Sequence, residues 1–219
     1  MMADTSLGAK DTVAMLQAVA RAVIDRVDVL TDADLAIGDG DHGIGMRRGF
    51  EAVLAALEAS PLDIDAAFRA TGMAIMANTG GAAGAVFGTF FTSGAKALAG
   101  ADRIDADNVR RFLNAAQEGV AKRGGVTEGQ KTMLDALAHA TRAAGSATDL
   151  PSCLTAAAKG AEAGVEATKS MVATTGKARA LGERSLGYPD PGAISVAIIL
   201  STMRDFVSAK ETGKGEQNG

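Results

Sequence analysis

Tryptophan is absent from this chain and aromatic residues make up only 4% of it. A β-sandwich or barrel packs largely with aromatic and β-branched side chains, so this shortage argues against one. The single cysteine, Cys153, excludes an intrachain disulfide and a thiolate zinc cluster, and it suits a reducing, cytoplasmic setting. A basic excess is also missing. With 22 Lys and Arg against 26 Asp and Glu, the net charge is -4, and no basic stripe offers nucleic acid a footprint. The opening residues MMADTSLGAKD carry neither a basic region nor an apolar run, so a secretory signal is not expected. Two stretches invite a membrane test. Gly80–Gly100 is rich in Gly, Ala and Thr, and Ala193–Met203 is too short to span a bilayer; both read better as buried helices, with no membrane partner.

What remains is a small-residue, helical composition. Apolar residues reach 47% of 219, with Ala and Gly prominent among the small ones, and small side chains let helices approach closely. The length supports one domain, taken as 1–210, followed by a frayed tail at 211–219. From Asp11 to Leu30, Val13, Leu16, Val19, Val23 and Val27 recur at helical intervals and predict one amphipathic helix. A polar loop holding TDAD and the segment AIGDGDHGIG should follow. A second helix begins near His42 and stops before Ser60–Pro61. The same signals predict helices at about 65–77, 84–99, 106–122, 130–145, 151–173 and 192–209, giving about eight helices and no strand. Short connections make these antiparallel neighbours in an up-and-down bundle.

Four loops combine glycine with special polar residues: one around Asp34, Asp39 and Asp41, then Thr79–Gly84, Arg123–Thr132 and Leu181–Ala193. Glycine in such number is costly to order unless the backbone must approach something closely. The run Gly38–Gly43 fits a dinucleotide fingerprint by spacing, but no strand precedes it and two aspartates would repel a pyrophosphate. An EF-hand requires a Glu where Phe50 stands. GGVTEGQKT resembles a P-loop, except that Gln130 interrupts it before the lysine. Two readings of the aspartates stay open on spacing alone: oxygen ligands for Mg2+, which would invert the local field and attract phosphate, or turn formers and a helix cap. His42 reads either as a phosphate donor or a structural hydrogen bonder. His139 reads as a helix-surface residue, and Met133 as core or the wall of an adenine slot. Cys153 reads as a buried small residue without an activating base.

Taken together, IGDGDHGIGMRRGF, TGGAAGAVFGTFF, GQKTMLDAL and LGERSLGYPDPGAISV resemble the nucleotide-binding L subunit of dihydroxyacetone kinases, a domain that also ends the single-chain ATP-dependent enzymes. The resemblance covers nearly the whole chain in order. It implies an all-α, eight-helix antiparallel barrel that binds ADP or ATP through loops at one end, with two Mg2+ ions on Asp34, Asp39 and Asp41. It also implies phosphate contacts at His42, Gly43, Ile44 and Gly45, and at Ala82 and Ala83. Gly124 and Met133 match positions beside the nucleoside, Lys177 a basic phosphate ligand, and Asp190, Pro191 and Gly192 a loop closing over the nucleotide. In such kinases the ketose is held by a separate K-type subunit.

Several matched positions depart from the family pattern. Gly45 stands for an asparagine, Ala83 for a serine, Ala85 for a proline, Gln130 for an aspartate, Lys177 for an arginine and Arg179 for a serine. Lysine at 177 keeps the charge but loses the bidentate fork. The resemblance implies phosphoryl transfer to dihydroxyacetone or a related ketose without a covalent nucleophile in this chain. The phosphoryl donor is either free ATP or a phosphotransferase-system M-type protein recharging bound ADP. A nucleotide-dependent regulatory module without turnover is the alternative.

Overall fold

The computed structural model describes residues 6–58 and 63–216. Their helices are α1 (Ala9–Ile24), α2 (Val27–Ile37), α3 (His42–Glu58), α4 (Ile64–Asn78), α5 (Gly81–Ala97), α6 (Ala106–Gly124), α7 (Met133–Ala144), α8 (Leu150–Thr168) and α9 (Pro191–Glu216). A 3-10 segment, Lys177–Ser185, lies between α8 and α9. The only extended pairing among the described residues is an isolated bridge between Leu7 and Ile104, so the all-α expectation is met. The helix stop read at Ser60–Pro61 falls outside the described residues.

Helix boundaries follow local chemistry. The Asp105 and Asp149 carboxylates accept from the backbone N–H of Asn108 and Ser152, each at 2.8 Å, and so cap α6 and α8. Helix α6 ends at Gly125, whose φ of 62° is the left-handed conformation that terminates helices at small cost only in glycine. Thr132 and Asp135 form a reciprocal capping box at the start of α7. That box moves the start expected near 130 to Met133.

Eight of these helices form a closed ring, α1, α3, α4, α5, α6, α7, α8 and α9, in which each packs on the next and α9 returns to α1. This is the expected eight-stave barrel. The expected first helix, however, is two helices. At Asp25–Arg26 the hydrogen bonding tightens, the Arg26 N–H reaching back to Val23 O at 3.2 Å. Helix α2 then leaves the ring to lie against α3, α9 and the 3-10 segment. No glycine or proline marks this bend, and the apolar period runs through it. The correction matters for Asp34, which sits in α2 and not in a polar loop.

The few aromatics are concentrated in one place. Phe50, Phe68, Phe90, Phe91 and Phe112 are buried and meet with ring centroids 4.9–6.5 Å apart. Elsewhere small residues set the spacing. A methyl group at Gly164 of α8 would lie 2.5 Å from Ala136 Cα of α7, so glycine is what lets that pair close. Helix α9 is long and apolar enough by composition to cross a membrane over Pro191–Thr212. Its Ala193, Val196, Ile199, Leu200, Met203 and Val207 are buried in the barrel core.

Candidate functional site

An up-and-down ring turns alternate connections toward the same end. Here the segments 38–41, 79–80, 125–132 and 169–190 all meet there, and residues from each line one cavity of about 450 Å3. The same end carries the N-termini of α3, α5, α7 and α9, whose aligned peptide dipoles favour an anion. Three of those termini have a side-chain cap on at least one first-turn N–H. The His42 N–H donates to Asp34 Oδ2 at 3.1 Å, Thr132 and Asp135 cap α7, and the Ala193 N–H donates to Asp190 Oδ2 at 2.7 Å. Helix α5 differs: Gly80, with φ 81°, offers no side-chain cap. Its first residues, Gly81, Ala82 and Ala83, line the cavity, and their N–H groups have no partner within the helix.

The two ends of the cavity have different chemistry. Val86, Phe87, Val120, Val126 and Met133 make an apolar wall. Opposite them are Asp34, Asp39 and Asp41, whose oxygens lie within 4.8 Å of one another. Three carboxylate oxygens at that spacing suit a hard divalent cation. A cation already marks the place. Lys177 Nζ donates to Asp39 Oδ1 at 2.6 Å and Oδ2 at 2.5 Å, and to Asp41 Oδ2 at 2.8 Å. That contact holds the Asp39 carboxyl below the usual carboxylate range and pushes the Lys177 ammonium up. Asp34 is buried, pinned by its bond to the start of α3.

His42 lies beneath this cluster. Ser195 Oγ donates to Pro191 O at 3.2 Å, so its one proton is committed and the 2.9 Å bond to His42 Nε2 is donated by the ring. Burial lowers the His42 pKa, with Asp34 and Asp41 pulling the other way. Burial thus favours the neutral ring, and its Nε2–H is turned to Ser195. Across the cavity, Lys131 is buried and its Nζ donates to Thr168 O and Tyr188 O, both at 2.6 Å. Burial lowers its pKa, offset by Asp190 and Asp135. Asp190 is pushed up to about 7, first by burial and further by Asp135, against the Ala193 N–H and Lys131.

The DAK2 domain model matches residues 36–205, well over half of the chain. This chain belongs to the DAK2-domain family. The ADP-binding subunit DhaL of a PEP-dependent dihydroxyacetone kinase from Listeria innocua serovar 6a is 38% identical over 182 residues, which cover 83% of this chain and 88% of that one. The corresponding DhaL subunit from Escherichia coli K12 is 35% identical over 189 residues, 84% of this chain and 89% of that one. Among solved structures, the dihydroxyacetone kinase of C. freundii superimposes with a TM-score of 0.70 at 27% identity over 94% of this chain and 36% of its own. The same kinase in complex with AMP-PNP and Mg2+ gives 0.70 and 27% over 89% and 33%. The DAK2 chain thus spans about a third of that larger enzyme.

Within the DAK2 site, twelve of the fifteen positions singled out in the sequence line the cavity: Asp34, Asp41, His42, Gly45, Ala82, Ala83, Gly124, Met133, Lys177, Asp190, Pro191 and Gly192. Asp39 joins them through Lys177. Gly43 and Ile44 do not line it: Gly43 is packed against Val27 O and Thr31 of α2, and Ile44 is exposed. The structure adds Arg48, Lys131, Asp135 and Ser195. Arg48 lines the cavity and donates to Thr79 O at 3.2 Å; its i,i+3 spacing from Gly45 puts both on one face of α3. Thr132-x-x-Asp135 was legible as a capping box. Cys153 is buried and inert, its thiol pushed up to about 11 by burial.

Proposed function

We propose that this chain is the Mg-nucleotide-binding subunit of a dihydroxyacetone kinase-type phosphotransferase, passing a phosphoryl group to a ketose held by a K-type partner subunit. The observation that carries the reading is the uncapped N-terminus of α5, which shares a cavity with three clustered carboxylates. Phosphate is the ligand that uses both: it accepts from free backbone N–H groups and reaches carboxylates through a divalent cation.

Asp34, Asp39 and Asp41 would hold Mg2+, and the family resemblance implies two ions. Bound there, Mg2+ supplies the positive charge that draws phosphate oxygens to an acidic surface and neutralises charge during transfer. The chain's own groups do the rest. The α5 N–H groups at Ala82 and Ala83 orient the phosphates, and Val86, Val120, Val126 and Met133 shelter the nucleobase from water. Serine's absence at position 83 removes a hydroxyl but leaves the backbone donor. Asp190, Pro191 and Gly192 close the cavity beside Met133, where a methyl group at Gly192 would lie 3.2 Å from Met133 Cβ. His42 supports Asp34 and Ser195, since both its backbone N–H and its ring N–H are engaged. No side chain in the site is arranged as a covalent nucleophile, so the contribution to rate is positioning and electrostatics. The donor is ATP or bound ADP recharged by an M-type phosphotransferase-system protein.

The test pairs calorimetry with turnover. Asp34→Ala, Asp39→Ala and Asp41→Ala are each expected to weaken Mg-ADP binding by at least about tenfold, the loss expected for a ligand to a charged group. Wild type mixed with a K-type subunit should phosphorylate dihydroxyacetone or erythrulose when ATP or the M-type donor is supplied. Unchanged nucleotide affinity in all three variants overturns the metal assignment. Tight nucleotide binding without product from either donor favours a regulatory module instead.

A further inference from the structure

A role in phosphate binding does not by itself explain why the exposed lysine is bound to the acidic cluster. Lys177 Nζ contacts both oxygens of Asp39 and one of Asp41, the same carboxylates that with Asp34 form the candidate cation site. We propose that Lys177 is a tethered substitute cation, which holds the metal position in the ligand-free protein and must leave it for a divalent ion to bind. The inference rests on the metal reading above.

Three features make the exchange physically reasonable. The first is charge: three carboxylates within 4.8 Å repel one another, and a single ammonium between two of them relieves part of that repulsion. The second is reach. Lys177 opens the 3-10 segment that packs on α2, the helix carrying Asp34. It follows Gly176, with φ 63°, and the segment is broken again at Gly182, with φ 55°. Glycines on both sides let the lysine swing without moving a barrel helix. The third is solvation. The Lys177 side chain is about half exposed, so the ammonium leaves the carboxylates without first crossing a dry interior.

Its destination follows from its position. Lys177 lines the cavity that the first residues of α5 also line. Displaced from Asp39 and Asp41, the ammonium becomes a hydrogen-bond donor to phosphate oxygens. The metal and the nucleotide then act on it in concert: the metal expels it from the carboxylates, and the phosphates accept it. Each ligand therefore strengthens the other beyond their direct contact, and by linkage the effect is reciprocal. A lysine suits this exchange better than an arginine, because a compact ammonium mimics a point-like cation.

The experiment measures Mn2+ and Mg2+ binding to the whole chain by calorimetry, without nucleotide and then with saturating ADP. Without nucleotide, Lys177→Met is expected to bind the metal about two- to fivefold more tightly than wild type, the range set by exposed ion pairs. With ADP present that advantage should vanish or reverse. In wild type, acetylation of Lys177 followed by mass spectrometry should become several-fold faster when Mg2+ alone is added. Equal or weaker metal binding by Lys177→Met overturns the substitute-cation proposal, as does labelling that ignores Mg2+, and both leave the kinase reading standing. Metal uptake by neither protein, with or without ADP, overturns both.

Discussion

His42 and Asp190 are shifted in opposite directions by the same cause, because burial disfavours whichever form is charged. For Asp190 the folded value is about 7 against an ordinary 3.8. The folded chain keeps a proton that the unfolded chain releases, so this group contributes stability that is lost as pH rises through that window. His42 works the other way: it is lowered from 6.5, and its contribution is lost as pH falls below that value. Asp190→Asn separates them, since the amide mimics the neutral acid and can still accept from Ala193 N–H. Relative to wild type, the variant should gain about 5–10 °C in melting temperature between pH 5 and pH 8, because the two pH units from 5 to the folded value, at about 1.36 kcal/mol each, come to about 2.7 kcal/mol. A pH-independent difference would remove Asp190 from the account. Spacing alone leaves the aspartates open between cation ligands and turn formers, and it is the family resemblance that groups Asp34 with Asp39 and Asp41 as Mg2+ ligands. Lys131 and Ser195 were not legible in the sequence, since their importance lies in contacts with Thr168, Tyr188 and His42 made only after folding.

Between elements, glycine decides how closely α2 meets α3. A methyl group at Gly43 would lie 2.4 Å from Val27 O and 2.8 Å from the Thr31 N. Both obstacles are backbone, so no side-chain rotation relieves them, and the helices must separate. Because α2 carries Asp34, the cation cluster should loosen with them. Gly43→Ala is expected to destabilise by about 1–3 kcal/mol and to weaken Mg-ADP binding. Gly124→Ala is the comparison: the nearest obstacle there is the Val126 side chain at 3.2 Å, which can give. Thermal unfolding of the two variants checks the contrast, and an equally stable Gly43→Ala would show that α2 is not held by this contact. The resemblance places Gly43 beside phosphate through its backbone, and the absence of a Cβ there also lets α2 pack against α3. The bend between α1 and α2 was hidden in the sequence. Val23 and Val27 keep helical spacing across Asp25–Arg26, so the period reads as one helix although the axis changes.

For the molecule as a whole, periodicity and stop signals gave the staves and their antiparallel order, but not which helices close the ring. That depends on α9, which packs against both α1 and α8 and so joins the last stave to the first. Its Val196, Ile199, Leu200, Met203 and Val207 fill the core, and its Ser195 supports His42. The barrel and the cavity therefore depend on the same helix. A chain ending before Pro191 exposes the apolar faces of α1 and α8 together, each large side chain losing about 1.5–3 kcal/mol of burial. Five such losses, about 7.5–15 kcal/mol, are as large as the net stability of an ordinary domain, so this truncation should lack a cooperative thermal transition and fail to bind Mg-ADP. A chain ending after Thr212 keeps every one of those contacts, as well as the ion pair between Lys210 and Asp11. It should melt within about 2 °C of the full chain, a shift of less than 1 kcal/mol. Circular dichroism through the thermal transition distinguishes the two. A folded, nucleotide-binding product from the shorter chain would mean that the ring is stable when open.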